Sequence, residues 1–229
     1  MHTAVGSNEP MGAPLQKVPQ SAALLVGLLV LIVVSPSVQV KGAEVVIELI
    51  FDLILLAGVY AVRASRHRWT FGALTAITLA IRWGEILWGD RQYDPLYLGL
   101  TVAWLAYATW IVVGQLFQRR DVSIDTIFGA ITAYLLIAVA FMELYSLIEL
   151  QRPGSFAGLA DATEPNRQQM GGTMLYFSLV CLTTMGFGDI VPASNLARPL
   201  AALEGVIGQL YLAIMIARLV GLHISRRND

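Results

Sequence analysis

The sequence predicts an all-α membrane protein with six transmembrane helices, one re-entrant helix and an extended glycine-containing loop that follows it. Three observations carry this expectation. The 229 residues are 56% hydrophobic and only 14% charged, against about 25% charged in a soluble domain. The mean hydropathy is +0.65, and the apolar residues gather in six blocks near the roughly 20 residues that a bilayer span needs. Between the fifth and sixth blocks lies a further apolar run that is too short to cross.

The same numbers exclude several function classes. A net charge of −1 gives no case for a nucleic-acid partner. Cys181 is the single cysteine, so neither an intrachain disulfide nor a multi-cysteine metal site is expected. No phosphate-cradling loop, metal-ligand cluster or nucleophile–base pair stands out, so no enzymatic activity and no cofactor are expected.

In chain order, residues 1–18 are polar, Gly/Pro-containing and aperiodic, and read as a cytoplasmic tail. Apolar blocks follow at about 19–39, 44–63, 70–89 and 95–117, forming a four-helix peripheral membrane domain over 19–117. The first block has a short apolar core, and Ser35-Pro36-Ser37 after it would also suit a signal peptide. Only Lys17 precedes it as a basic residue, with Glu9 further upstream, which favours a retained helix. Residues 118–126 read as an interfacial linker, 127–223 as a second membrane domain and 224–229 as a cytoplasmic tail. The second domain opens with a block at 124–150 and closes with one at 197–223. Between them come a polar extracellular loop, 151–169, and a run of some dozen residues from Gly172 to Thr184, a length that suits a re-entrant helix.

Charge orients these elements. With six spans, one side holds Lys17, Arg63, Arg66, Arg68, Arg119, Arg120, Arg226 and Arg227, and the other Lys41, Arg91, Arg152, Arg167 and Arg198. Eight against five basic residues put both termini in the cytoplasm, and a compact chain of this kind suits the plasma (cell) membrane.

The chemistry concentrates in Thr183-Thr184-Met185-Gly186-Phe187-Gly188-Asp189. A lone Gly-x-Gly would be weak evidence. Here it follows a short apolar helix and precedes a spanning one. This motif in this setting resembles the signature of the potassium channel superfamily, over about 124–223 by motif and over the whole chain by its six-helix layout. An ion that sheds its water needs replacement oxygens, which backbone carbonyls supply if successive ones point inward. An ordinary strand alternates them, so left-handed residues must be interposed, and glycine adopts that conformation without steric cost. The resemblance implies K⁺ sites at the carbonyls of Thr184, Met185, Gly186 and Phe187, with the Thr184 hydroxyl completing the innermost one and Gly188 closing the filter.

The superfamily usually has Val or Ile at Met185 and Tyr at Phe187. Losing the phenolic hydroxyl removes one hydrogen bond behind the filter, so K⁺ preference is expected to persist in a filter more prone to inactivation. Phe187→Tyr should then slow inactivation; a variant that leaves both inactivation and the K⁺/Na⁺ permeability ratio unchanged would contradict this. Thr183, Tyr176 and Asp189 are expected to support the filter, Tyr176 with Phe177 as an aromatic cuff, for which lipid-interface anchoring is the alternative. Asp189 either adds negative charge at the mouth or bonds to the short helix behind the filter. One loop supplies a quarter of a coordination shell, so three further identical subunits are the expected partners.

In the last block, Gly208 falls where the superfamily has a hinge glycine; close helix packing is the alternative. Gln209, Leu212 and Ile216 are placed to line an inner cavity, and Arg218 to reach the interface. Glu204 is a carboxylate in an apolar helix, costly unless partnered; tethering the short helix or filter from behind is its expected role, which Glu204→Gln would disturb.

The six-helix layout resembles voltage-gated potassium channels, whose sensor carries regularly spaced arginines on the fourth helix. Here that helix has no basic residue. Each charge moved yields about 2.3 kcal/mol per 100 mV, so conventional voltage sensing is not expected. Glu44, Glu48 and Asp52 share one face of helix two, and Arg82 and Glu85 lie on helix three. A network of Glu48, Asp52, Arg82 and Glu85 follows, either structural or proton- or ligand-sensitive. The stretch 117–124 reads as a short surface helix in which Arg119 and Arg120 meet anionic lipid headgroups or merely anchor topology. The expected function is passive K⁺ conduction through a homotetramer. The alternatives are a weakly selective monovalent cation channel and a non-conducting or transporter-associated subunit.

Overall fold

A computed structural model describes residues 22–34, 43–62, 67–88, 95–118, 123–159 and 167–228. Seven helices are described: α1 (Ala22–Val34), α2 (Ala43–Val62), α3 (Arg68–Trp88), α4 (Pro95–Gln118), α5 (Ile124–Gln151), α6 (Arg167–Leu182) and α7 (Ala197–Asn228). Two short strands, β1 (Phe156–Ala157) and β2 (Val191–Pro192), pair antiparallel between α5 and α7. The described part of the chain is therefore essentially all-helical, as the composition predicts.

Three of these helices, Pro95–Gln118, Ile124–Gln151 and Ala197–Leu222, are long and apolar enough to cross a membrane. The 13 residues of α1 rise only about 20 Å, short of the roughly 30 Å hydrocarbon core. Helices α2 and α3 have 20 and 21 residues, and within α2 the run Leu49–Tyr60 is apolar throughout its described side chains except Asp52. Phe117 and Gln118 extend α4, and Ser123 caps α5 by accepting from Thr126 N–H. The stretch read as a surface helix therefore begins in the last turn of α4 and ends at the start of α5, and its middle, with Arg119 and Arg120, lies outside the described residues.

Helix α5 is the hub. One of its faces packs on α4, and others meet α1, α6 and α7. Leu136, Val139 and Tyr145 of α5 join Leu105 and Trp104 of α4 and Met174 and Leu175 of α6 in one core. In the peripheral helices, a Cβ at Gly58 would come within 2.7 Å of the Trp104 indole, so the missing side chain lets α2 and α4 close together. The indole N–H donates to Thr75 Oγ1 at 2.7 Å, joining α4 to α3.

Of the predicted charge network, Asp52 and Arg82 meet at 2.8 Å between α2 and α3, both largely buried, and the Arg82 guanidinium lies over the Phe51 ring. The side chains of Glu48 and Glu85 lie outside the described residues.

Candidate ion-conducting site

The site begins as a helix terminus. Met185 N–H bonds to Val180 O and Thr184 N–H to Cys181 O, both at 3.0 Å. This nested pair is a Schellman motif, which places the residue after the helix in the left-handed conformation, usually a glycine. Here that residue is Thr184, with φ of 58°. It is the one non-glycine residue with positive φ among the described residues. A left-handed β-branched residue is a genuine outlier and costs about 1–3 kcal/mol.

The alternation continues outward. Gly186 has φ of 58° and Gly188 of 79°, while Met185 and Phe187 between them stay negative. Left-handed residues at every second position turn successive carbonyls toward the same side, which is the geometry that the sequence argument requires. The glycines at 186 and 188 were legible; the third left-handed position was not, because threonine hides it.

Side chains behind the loop differ in their surroundings. The Phe187 ring stacks on Tyr176 of α6, with centroids 6.3 Å apart. Tyr176 OH donates to Asp189 Oδ2 at 2.7 Å, so Asp189 takes the bonded arrangement. Phe177 instead turns inward and packs edge-on against Tyr145 and Phe156. Met185 is exposed in the single chain. Thr183 returns its hydroxyl to Leu179 O at 2.6 Å.

The Tyr176 hydrogen bond holds the Asp189 carboxyl below the usual carboxylate range. A depressed pKa means that the charged form stabilises the fold above the ordinary carboxylate pKa, and that this is lost as pH falls through the lowered value. Wild-type flux should therefore withstand external acidification until the medium is strongly acid. Tyr176→Phe should move acid inhibition to higher pH, measurable as K⁺ flux against external pH; identical profiles would refute the link.

The outer end is fixed from the other side. The Glu149 carboxylate accepts from Gly154 N–H at 2.7 Å and Phe156 N–H at 3.0 Å, shaping the loop after α5. Ser155 O then accepts from Ala193 N–H at 2.8 Å and Ser194 N–H at 3.1 Å, and a Cβ at Gly158 would fall on the Asp189 carbonyl. None of this latch was anticipated from the sequence.

Helix α7 closes the site from behind. Glu204 is fully buried. Tyr145 OH of α5 donates to Glu204 Oε2 at 2.6 Å, and Ser178 Oγ of α6 bonds to Glu204 Oε1. Ser178 Oγ also bonds to Ala138 O at 2.8 Å. One carboxyl group thus joins three helices. Its partners went unseen because single hydroxyls in apolar runs look like packing. Gly208 sits against the end of α6, where an added Cβ would fall on Leu182 O. That carbonyl accepts from Tyr134 OH at 3.1 Å. Gln209 Nε2 donates to Thr184 Oγ1 at 3.2 Å. Leu212 and Ile216 lie on a side of α7 that the single chain leaves exposed, and the Arg218 guanidinium lies over the Phe117 ring at 5.0 Å.

A short helix ends in a loop of alternating handedness, braced by two long apolar helices, as the resemblance of the motif to ion channels implies. Residues 129–223 match the family described as "Ion channel". The chain is similar to Protein LctB of Bacillus caldotenax, 25% identical over 130 residues that make 56% of this chain and 95% of that protein. It is likewise similar to the inward rectifier potassium channel Kirbac3.1 of Paramagnetospirillum magnetotacticum, 30% identical over 127 residues. That match covers 56% of this chain and about a third (32%) of the relative. Protein LctB of Geobacillus stearothermophilus is 25% identical over 128 residues.

Proposed function

We propose that this chain is one subunit of a K⁺-selective homotetrameric channel of the plasma membrane. It conducts passively, with six spanning helices, α6 re-entrant and both termini in the cytoplasm. The observation that carries the reading is the alternation of left-handed residues at Thr184, Gly186 and Gly188. It supports a loop in which the carbonyls of Thr184, Met185, Gly186 and Phe187 face one side, as dehydrated K⁺ would require. Exposure of Met185, Leu212 and Ile216 in the single chain supports their covering by, or facing, three further copies around one axis. Helix α4 carries no basic residue, which supports gating without a conventional voltage sensor. The arginine pair at 119 and 120 is proposed to meet anionic lipid.

Reconstituted in liposomes, the purified protein should carry K⁺ down its gradient and show bi-ionic reversal potentials favouring K⁺ over Na⁺. Equal permeabilities would make it a weakly selective cation channel. Absence of flux would make it a non-conducting or transporter-associated subunit.

A further inference from the structure

The geometry points to Gln209 as a positioning residue that fixes the Thr184 hydroxyl and so sets the cation preference of the innermost filter site. This rests on the conducting function proposed above and assigns a determinant within it. Of the two adjacent threonines, Thr183 spends its hydroxyl on Leu179 O, whereas the Thr184 hydroxyl is turned to α7. Its bond to Gln209 Nε2, at 3.2 Å, ties the filter loop to the last helix by side chains.

The approach is built by the backbone of α7. Gly205, Gly208 and Gln209 are spaced i, i+3 and i+4 and share one face of the helix. A Cβ at Gly205 would lie 3.5 Å from Cys181 O and 3.9 Å from Thr184 Cγ2. A Cβ at Gly208 would overlap Leu182 O. The two glycines therefore seat α7 on the end of α6, and the next side chain along that face is the amide that reaches Thr184.

The consequence follows from the chemistry of a hydroxyl. It has one proton and two lone pairs. The Gln209 amide occupies one lone pair, which stops the group from rotating and leaves the second lone pair at a fixed place beside the first carbonyls of the loop. A cation at the inner end then meets an oxygen held at one radius, and discrimination by size depends on that radius. Without the amide, the hydroxyl swings among its rotamers and accepts ions of different size more evenly.

The test is a cycle in proteoliposomes, read as the K⁺/Na⁺ permeability ratio. Gln209→Leu should lower the ratio about fivefold, the weight of one neutral hydrogen bond. Gln209→Asn, a methylene too short to reach, should do the same, and it serves if the leucine variant does not assemble. In a Thr184→Val background, which has no hydroxyl to hold, Gln209→Leu should add no further change. A purely structural role would shift the ratio equally in both backgrounds. An unchanged ratio in Gln209→Leu or Gln209→Asn, or an equal further drop on Thr184→Val, overturns the inference. If the unsubstituted protein itself fails to favour K⁺, the conducting function fails first; a selective wild type with uncoupled variants sinks only the role of Gln209.

Discussion

Glu204→Leu is expected to destabilise the channel by about 2–4 kcal/mol and to abolish selective K⁺ flux, because it orphans the Tyr145 hydroxyl and cuts the link from Ser178. An unsatisfied buried hydroxyl costs about 1–3 kcal/mol and a lost neutral bond about 1 kcal/mol. Tyr145 is fully buried among Phe141, Phe156 and Phe177, so water does not replace the lost acceptor. Glutamine is expected to behave differently. Ser178 has a single hydroxyl proton, yet bonds to both Ala138 O and Glu204. A glutamine amide can donate to Ser178 while its carbonyl accepts from Tyr145, and every group then has a partner. The bare sequence suggests Glu204→Gln as the disruptive change; the three-helix junction makes leucine the disruptive one and glutamine the control. Thermal unfolding in detergent and liposome flux measure both. A leucine variant that melts and conducts like wild type would remove Glu204 from the account.

The second large effect is expected at Gly208. If this glycine served only as a hinge, alanine would strengthen α7 by about 1 kcal/mol and alter opening alone. The packing argues for the opposite sign. The atom in the way is a backbone carbonyl, Leu182 O, already fixed by Tyr134 OH, and a backbone atom gives way less readily than the end of a flexible side chain. Overpacking of this kind costs about 1–3 kcal/mol, which outweighs the gain in propensity. Gly208→Ala should therefore lower the unfolding temperature and, by pushing α7 off the end of α6, reduce the K⁺/Na⁺ ratio. Wild-type selectivity with a raised unfolding temperature would return Gly208 to the hinge role.

How far the sequence reached depended on whether a feature is local. Long apolar blocks are local, and α4 and α5 fall within one residue of their predicted bounds. The Gly-x-Gly of the filter is local too, since glycine at 186 and 188 advertises positive φ. Thr184 does not, and its left-handed backbone comes from the Schellman end of α6. The role of Glu204 was half legible: a buried acid demands partners, but which hydroxyls answer depends on how α5, α6 and α7 cross. Gly208 shows the same limit, since a glycine that bends and a glycine that makes room are identical letters. The outer latch was invisible, because Ser155 and Gly158 meet residues about 35 positions away through main-chain atoms, while Glu149 only shapes the loop that carries them.

The helix cap at Thr184 has a mechanical consequence. The loop from Thr184 to Asp189 is a strip clamped at its inner end, where two main-chain bonds continue the stiffness of α6. At its outer end it is pinned, through the Tyr176–Asp189 side-chain bond and the strand-like latch. A strip held this way bends most between clamp and pin. Its compliance is therefore concentrated at Gly186-Phe187-Gly188, while the end clamped at Thr184 keeps its dimensions.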